Sequence, residues 1–343
     1  MSYTITSTEQ NNESASDQET KALLYLMSFR KDSNDIYYYV IDFFNDVTGV
    51  DRAGSCAWDV QSKSSKDLSK SKIGKYLVTL YKNYLSEFTF NAYILFVGGV
   101  SQNIIINKGL HEFNINNFKE NAQKTIFKSL KDEALKKNYI DSKLVNDNNI
   151  NEFLSKVIFV IDNKNKADYI KKIVKVNQNI LSLSDDYFNR IFDEIRDKQS
   201  AKKNICTENI TINLLNEFTS YKKHLTSNEL KMMVLSRLIH KHGVDYNPIS
   251  FSIVLNEYKG EYDKKEILDD CKDSMARIMC DKNNEDAYWD LFKDICDVTI
   301  KNPTYTVNDI YNLLDSQKIN KIQFLDIIST KFFIALVKDG VSE

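Results

Sequence analysis

Short runs of aromatic and β-branched residues recur in the first half of the chain, with segments of helical period between them. Such runs are typical of strands that are buried on both faces of a sheet. After a short helix that begins near Glu19, we predict strands at 36–44, 57–63, 92–97 and 156–161, a loop at 45–55, and helices at 68–88 and 118–137. Strands that alternate with helices in this way predict an α/β domain, a mixed central sheet flanked by helices.

The strand patterns fade after about residue 170, and helical periods alone continue to the end of the chain. We therefore expect the α/β domain to be followed by an all-α domain. Residues 1–17 are polar, have no apolar period and are interpreted as a disordered tail. The predicted boundaries are 18–200 for the α/β domain and 201–343 for a helical interaction or regulatory domain.

The composition excludes several other classes of protein. Only 9 glycines and 2 prolines occur in 343 residues, too few for a turn-rich all-β fold. No apolar stretch approaches the length that crosses a bilayer, and the polar N-terminus lacks the pattern of a signal peptide. Five scattered cysteines without a CxxC pair are typical of reduced thiols. We expect a cytoplasmic protein that does not contact a membrane.

Charge is unevenly distributed along the chain, although the formal net charge is only −2. Residues 61–85 carry six lysines and one acid, whereas residues 257–297 carry thirteen acids and seven bases. The low net charge excludes a protein that holds nucleic acid by bulk charge alone. The basic segment nevertheless suits a polyanion, and the acidic segment suits a basic or neutral partner. The alternative is that both segments are solvated helix faces.

The predicted strand 57–63 carries three polar side chains in alternation. Because successive side chains of a strand point to opposite faces, Asp59, Gln61 and Lys63 share one face. A carboxylate, an amide and an ammonium group are thus expected along one surface, while the opposite face keeps apolar side chains for the core. The alternative is that Asp59 and Lys63 form an ordinary pair on an exposed strand.

Asp46 lies at the end of the preceding predicted strand, thirteen residues before Asp59. If these two strands are hydrogen-bonded neighbours, both carboxylates stand together at the open edge of the sheet. They would repel each other unless a cation lay between them, and hard oxygen ligands favour Mg²⁺ or Mn²⁺. With Lys63 near a phosphate, these are the groups needed for metal-assisted phosphodiester hydrolysis.

The strand that ends at Asp46, and the following strand with Asp59-x-Gln61-x-Lys63 before a helix, resemble the PD-(D/E)xK nuclease superfamily. The variant with Gln before the Lys is similar to the double-stranded DNA endonuclease domain of bacterial antiphage effectors. These effectors include the CD-NTase-associated nucleases and the nuclease subunit of Lamassu systems. The resemblance covers roughly residues 19–161 and implies a restriction-endonuclease-like fold, and we find none that extends to the helical half.

By position, the resemblance implies that Asp46 and Asp59 are metal ligands and that Lys63 is the catalytic lysine. Gln61 would contact the metal site or the phosphate. Glu19, on the first predicted helix, would be the additional acid that some members of the superfamily place beside the metal.

Two neighbouring positions bear on this assignment. Gln18 is a rival of Glu19 for the additional position, and Asn45 stands where the name motif of the superfamily has proline, which is often absent. In the helix that follows the motif and just before it, four lysines are expected to contact DNA: Lys66, Lys70, Lys72 and Lys75.

The sequence therefore predicts a Mg²⁺- or Mn²⁺-dependent endonuclease for double-stranded DNA, the effector of a bacterial antiphage or anti-plasmid defence complex. A constantly active nuclease would damage its own cell, so we expect the protein to be held inactive until it is released or assembled. The alternatives are a non-enzymatic scaffold subunit of a complex and an RNase on the same fold.

The resemblance also implies partners. In Lamassu-type systems these are an SMC-like ATPase and an accessory subunit, and a second copy of the chain is a further candidate. Effectors linked to CD-NTases instead bind a cyclic oligonucleotide through a C-terminal domain. Residues 200–343 contain no nucleotide-binding motif, which favours a protein partner.

Overall fold

The computed structural model describes residues 3–5, 13–173, 184–205, 207, 210–239, 247–258, 263–280 and 285–342. Contacts divide the chain into two compact units. The first comprises Met1–Tyr169 and Phe192–Ser227, and the second comprises Ile170–Ile191 and Asn228–Glu343. The structure thus differs from the single boundary predicted at residue 200, because the chain changes unit three times.

All strands of the described residues lie in the first unit. They are β1 Tyr3–Thr4, β2 Ile36–Ile41, β3 Val47–Asp51, β4 Ala57–Lys63, β5 Phe90–Val97, β6 Glu112–Phe113, β7 Val157–Ile161, β8 Thr211–Ile212 and β9 His224–Thr226. Seven of them form a mixed sheet in the order β6-β7-β5-β4-β3-β2-β9, and β1 pairs separately with β8. In the large sheet, β4–β5 and β5–β7 are parallel, whereas the other pairs are antiparallel.

Helices flank this sheet. In chain order they are α1 Glu13–Ser28, α2 Lys70–Tyr76, α3 Val78–Tyr84, α4 Glu120–Ala134, α5 Asp147–Lys156, α6 Lys166–Ile173 and α7 Asp185–Lys203. Helix α1 packs on β3 and β4, whereas α3 packs on β4 and β5. Helices α2 and α4 approach closely because Gly74 has no side chain: a Cβ atom there would lie 2.5 Å from the Ile126 carbonyl oxygen. The coverage explains why residues 92–97 of β5 are all buried and all apolar.

The segment 47–51, which we expected within a loop, forms β3. This strand lies between β2 and β4, so the two predicted strands are not hydrogen-bonded neighbours, and the condition for the two carboxylates to stand together is not met. The helix predicted at 68–88 is also divided, into α2 and α3.

Part of the predicted tail is structured. Tyr3 and Ile5 are buried in an apolar cluster that includes Phe44 and Phe218, and α1 begins at Glu13. Residues 6–12 lie outside the described residues. The expectation of a disordered tail is therefore wrong for residues 3–5 and 13–17, because long-range apolar contacts outweigh a polar local composition.

The segment predicted as all-α begins with two short strands, β8 and β9, which complete the first unit. Beyond them the second unit is helical, as expected. Its further helices are α8 Ser227–Ile239, α9 Ile249–Glu257, α10 Lys264–Cys280, α11 Glu285–Lys301, α12 Val307–Leu313, α13 Ser316–Ile319 and α14 Ile327–Ser342. Helix α14 contacts α9, α10, α11 and α12, and its residues 332–337 are all buried, as is typical of a central helix. Among the described residues, no helix combines the length and apolar character needed to cross a membrane.

Candidate active site

The turn between β2 and β3 places Asp46 directly before β3. In this turn Asp42 has a left-handed backbone with φ of 48°, and its N–H donates to the carbonyl oxygen of Asp46 at 3.2 Å. Val47 lies opposite Val60 in the β3–β4 ladder, which brings Asp46 next to Gln61. Asp46 thus reaches β4 because the strand that it precedes pairs with β4.

Strand β4 binds the Asp46 carboxylate. Asp46 Oδ2 accepts hydrogen bonds from Gln61 Nε2 at 2.7 Å, from the Ser62 backbone N–H at 2.7 Å and from Ser62 Oγ at 3.0 Å. Gln61 Oε1 in turn accepts a hydrogen bond from Thr79 Oγ1 of α3 at 2.7 Å. Both ends of the Gln61 amide are therefore held, and its orientation relative to Asp46 is fixed.

Lys63 is the last residue of β4 and is half-buried. It lies two residues beyond Gln61 on the same face of the strand, about 6.5–7 Å along the chain. Its ammonium nitrogen is 5.4 Å from the centroid of the Tyr76 ring at the end of α2, a cation–π distance. Lys63 thus lies at the end of the strand, on the face that carries Gln61, and is not fully buried.

Glu19 lies on α1 and is buried. Burial raises the pKa of Glu19 to about 7; the charge of Asp46 adds to this rise, and the Lys203 ammonium opposes it through an ion pair with Glu19. The influence of Asp46 means that the two carboxylates share one electrostatic environment. Gln18, the rival position, is also buried.

Asp59 does not stand beside Asp46 at an open edge, where we expected it. It is fully buried, and its Oδ2 accepts hydrogen bonds from Asn45 Nδ2 at 2.7 Å and Asn83 Nδ2 at 2.6 Å. Its Oδ1 accepts from Thr48 Oγ1 at 3.1 Å. Burial raises the pKa of Asp59 to about 7, although the three hydrogen bonds favour the ionised form. Since α3 covers this part of the face, both carboxylate oxygens are used inside the protein.

The hydrogen bonds of Asp59 extend to the N-terminal strand. Asn83 Oδ1 accepts a hydrogen bond from the Tyr3 hydroxyl at 2.5 Å, and Lys82 Nζ lies 4.3 Å from the centroid of the Tyr3 ring. Burial lowers the pKa of Lys82 to about 8, while the charge of Asp59 acts in the opposite direction. The group around Asp59 therefore connects β1, α3 and β4.

The four lysines predicted to contact DNA lie on α2 and in the loop before it. Lys66, Lys72 and Lys75 are exposed, and Lys70 is half-buried at the start of the helix. Helix α2 begins after Ser69, whose side chain accepts a hydrogen bond from the Lys72 N–H.

Sequence reasoning missed four residues that shape the site. Thr79 and Asn83 are four residues apart on α3, a spacing that places both on one helix face, and this was a signal that could have been used. Asn45 directly precedes Asp46, and the sequence shows it only as a replacement for the proline of the name motif. Lys203 gave no signal, because it lies far from Glu19 in the sequence.

Glu19 and Asp46 remain as donors that could hold a metal ion. No group of three or more His, Cys, Asp or Glu residues that could hold a metal occurs in the described ranges. Glu19 and Asp46 offer oxygen donors, whereas the Gln61 amide turns its nitrogen to Asp46 and its oxygen to Thr79. Mg²⁺ commonly binds one or two carboxylates while it keeps several waters. Glu19 Oε2 is buried and paired with the Lys203 ammonium group, which a cation bound at this oxygen would have to approach or displace. This donor set fits a hard divalent cation.

The site thus combines two carboxylates, an oriented amide and a half-buried lysine. Such a combination can bind a hard cation together with a phosphate group. Comparisons of the chain with protein-family models, with curated proteins and with solved structures found no match.

Proposed function

We propose that this protein is a metal-dependent endonuclease for double-stranded DNA, with Glu19, Asp46, Gln61 and Lys63 as its active site. The observation that carries the proposal is the contact between Asp46 and Gln61, which joins the start of β3 to the middle of the sheet. Lys63 follows on the same face, and the buried Glu19 lies within the electrostatic influence of Asp46.

The order of elements supports a restriction-endonuclease-like fold. Helix α1 is followed by β2, β3 and β4, then by the helical segment α2–α3 and by β5, which is parallel to β4. This is the order of helix, strands, helix and strand on which the resemblance to the PD-(D/E)xK superfamily rests. It contains one additional strand, β3, which we did not expect. Within this order, Gln61-x-Lys63 lies on a central strand.

The proposed roles follow from the chemistry of each side chain. Glu19 and Asp46 would hold Mg²⁺ or Mn²⁺, which neutralises the charge that develops on a phosphate during hydrolysis. The Gln61 amide keeps the Asp46 carboxylate in place and presents an oxygen whose direction Thr79 controls. The ammonium group of Lys63 would stabilise negative charge on the scissile phosphate.

Asp59 has a different role in this proposal from the one implied by the resemblance. Its carboxylate is a buried anchor that holds Asn45 and Asn83 rather than a metal ligand. Since Asn45 directly precedes Asp46, the anchor positions the turn that carries Asp46. We therefore assign Asp59 as a positioning residue.

The wider assignment, an effector of a bacterial defence complex in the cytoplasm, rests on the resemblance and on the charge distribution. The exposed lysines of α2 suit the DNA backbone. The acidic segment 257–297 lies mainly in α10 and α11 of the second unit and suits a partner such as an SMC-like ATPase, its accessory subunit or a second copy of the chain.

The test is a cleavage assay with purified protein, supercoiled plasmid and Mg²⁺. We expect nicking or cutting that EDTA abolishes and that Asp46→Asn or Lys63→Ala lowers by about 10²–10³-fold. Lys143→Ala removes an exposed lysine of the first unit, outside the proposed site, and should leave the rate unchanged. A protein that is silent alone is assayed again with the products of its neighbouring genes.

Three outcomes would contradict the proposal. Cleavage that survives both active-site substitutions would assign the chemistry to other residues. Cleavage of RNA in preference to plasmid would favour the RNase alternative. Absence of any cleavage with all partners present would favour the scaffold alternative.

A further inference from the structure

Lys203 and Glu19 form an ion pair inside the first unit. Lys203 is the last residue of α7, and Glu19 lies in the first half of α1. Both side chains are largely withdrawn from solvent, with 13% and 11% of their surface exposed. Removal of either partner of such a pair would leave an uncompensated buried charge, which is strongly unfavourable, so the two side chains stay together.

Lysines pair with two of the acids in this part of the structure. The negative charges of Asp46 and Asp42 raise the pKa of Glu19. Of the main influences on this pKa, the Lys203 ammonium is the one that favours the ionised carboxylate. Asp42 has a lysine of its own, since Lys223 Nζ lies 3.7 Å from Asp42 Oδ2. Lys203 thus provides the positive charge at the carboxylate where the proposed function requires a divalent cation.

Lys203 is positioned by α7, which packs along α1. Thr20 Oγ1 donates a hydrogen bond to Gln199 Oε1 at 2.8 Å, and the hydroxyl groups of Ser16 and Ser200 lie 2.9 Å apart. An ion pair between Arg196 and Asp17, at 3.0 Å, joins the same two helices two turns further along. The position of the ammonium group is therefore set by the packing of α7 on α1 and not by a free side chain.

We propose that Lys203 is a built-in competitor of the divalent metal for the Glu19 carboxylate. The inference rests on the proposed function, which makes Glu19 a ligand. A cation that binds Glu19 must approach or displace a fixed positive charge in a partly buried place, where repulsion is poorly screened. The free chain should therefore bind metal weakly, and any partner that draws the end of α7 away from α1 should strengthen metal binding.

The test is the binding of Mn²⁺ to the full chain, measured by isothermal titration calorimetry in mildly alkaline buffer. Lys203→Met should bind Mn²⁺ about tenfold more tightly than the wild type, the effect expected when one close positive charge is removed. Lys203→Arg keeps the charge and should not gain affinity. Lys202→Met is the matched control: it removes a lysine from the same helical turn and should leave the affinity unchanged.

A second variant and a second measurement cover the case in which Lys203→Met folds poorly. Lys203→Gln removes the charge but keeps a polar side chain, and the rise in melting temperature that Mn²⁺ produces should be larger in this variant than in the wild type. The stabilisation by Mn²⁺ reports binding without any need for cleavage.

The outcomes separate this inference from the proposed function. If Asp46→Asn abolishes Mn²⁺ binding while the variants that remove the charge of Lys203 bind no more tightly than the wild type, the competition is refuted and the metal site stands. If no variant binds Mn²⁺, or if binding does not depend on Asp46, the metal site and the proposed function fail together, and the inference fails with them.

Discussion

The role of Asp59 gives the sharpest prediction, because two substitutions at this position separate a buried anchor from a metal ligand. Asp59→Ala leaves three buried donors without their acceptor: the amides of Asn45 and Asn83 and the hydroxyl of Thr48. Each buried donor without a partner costs about 1–3 kcal/mol, so we expect a loss of about 3–9 kcal/mol in the free energy of unfolding.

Asp59→Asn should lower the free energy of unfolding by less than about 1 kcal/mol. The remaining oxygen of the new amide can take the place of Oδ2 and accept from both Asn45 and Asn83. The amide nitrogen then faces the Thr48 hydroxyl, which can accept a hydrogen bond as well as donate one. A metal ligand responds in the opposite way, since Asn retains little of the affinity of a carboxylate for Mg²⁺.

The measurement is urea denaturation followed by tryptophan fluorescence in a Trp289→Phe background. The chain has two tryptophans, and Trp58 neighbours Asp59 on β4, so the remaining signal reports the first unit. Cleavage and Mn²⁺ binding are measured on the same proteins. The reasoning is refuted if Asp59→Asn folds normally but loses metal binding, or if Asp59→Ala is as stable as Asp59→Asn.

Three further predictions concern packing and pH. Gly74→Ala should destabilise the first unit by about 1–3 kcal/mol, because the new Cβ would lie 2.5 Å from the Ile126 carbonyl oxygen. The control is Gly109→Ala, where the nearest atom is 3.5 Å away. Equal unfolding midpoints of the two variants would contradict the close approach of α2 and α4. Glu19 has a pKa of about 7 in the folded protein against an ordinary value of 4.5, so its stabilising contribution is complete below pH 4.5 and is lost as the pH rises through about 7. The free energy of unfolding of the wild type should therefore fall relative to that of Glu19→Gln as the pH rises from 4.5 to about 7. Curves that stay parallel would refute the shift. Phe333→Ala, in the fully buried part of α14, should lower the free energy of unfolding of the second unit by about 3–5 kcal/mol, measured by Trp289 fluorescence. Phe324→Ala, at an exposed position, should change it little. Similar losses at both positions would argue against the central place of α14.

The secondary structure around the site was largely predictable. Strands β4 and β5 were found from their residues because apolar and alternating patterns reflect burial that the local sequence already encodes. The short strand β3 was missed because Thr48-Gly49 resembles a turn, and a strand of five residues is stabilised mainly by its neighbours on both sides. Strands β8 and β9 were missed for the same reason, since each has only two or three residues and depends on a partner distant in the chain.

The alternation of β4 was enough to place Asp59, Gln61 and Lys63 on one face, because the pleat of a strand leaves no other arrangement. Which of the three is accessible depends on α3, which covers Asp59 completely and leaves Lys63 half-buried at the end of the strand. The contact of Asp46 with Gln61 depends on the pairing of β3 with β4, and the ion pair of Lys203 with Glu19 depends on the docking of α7 on α1. Local patterns encode the direction of a side chain, whereas the groups that surround it come from segments far apart in the chain, which only folding brings together.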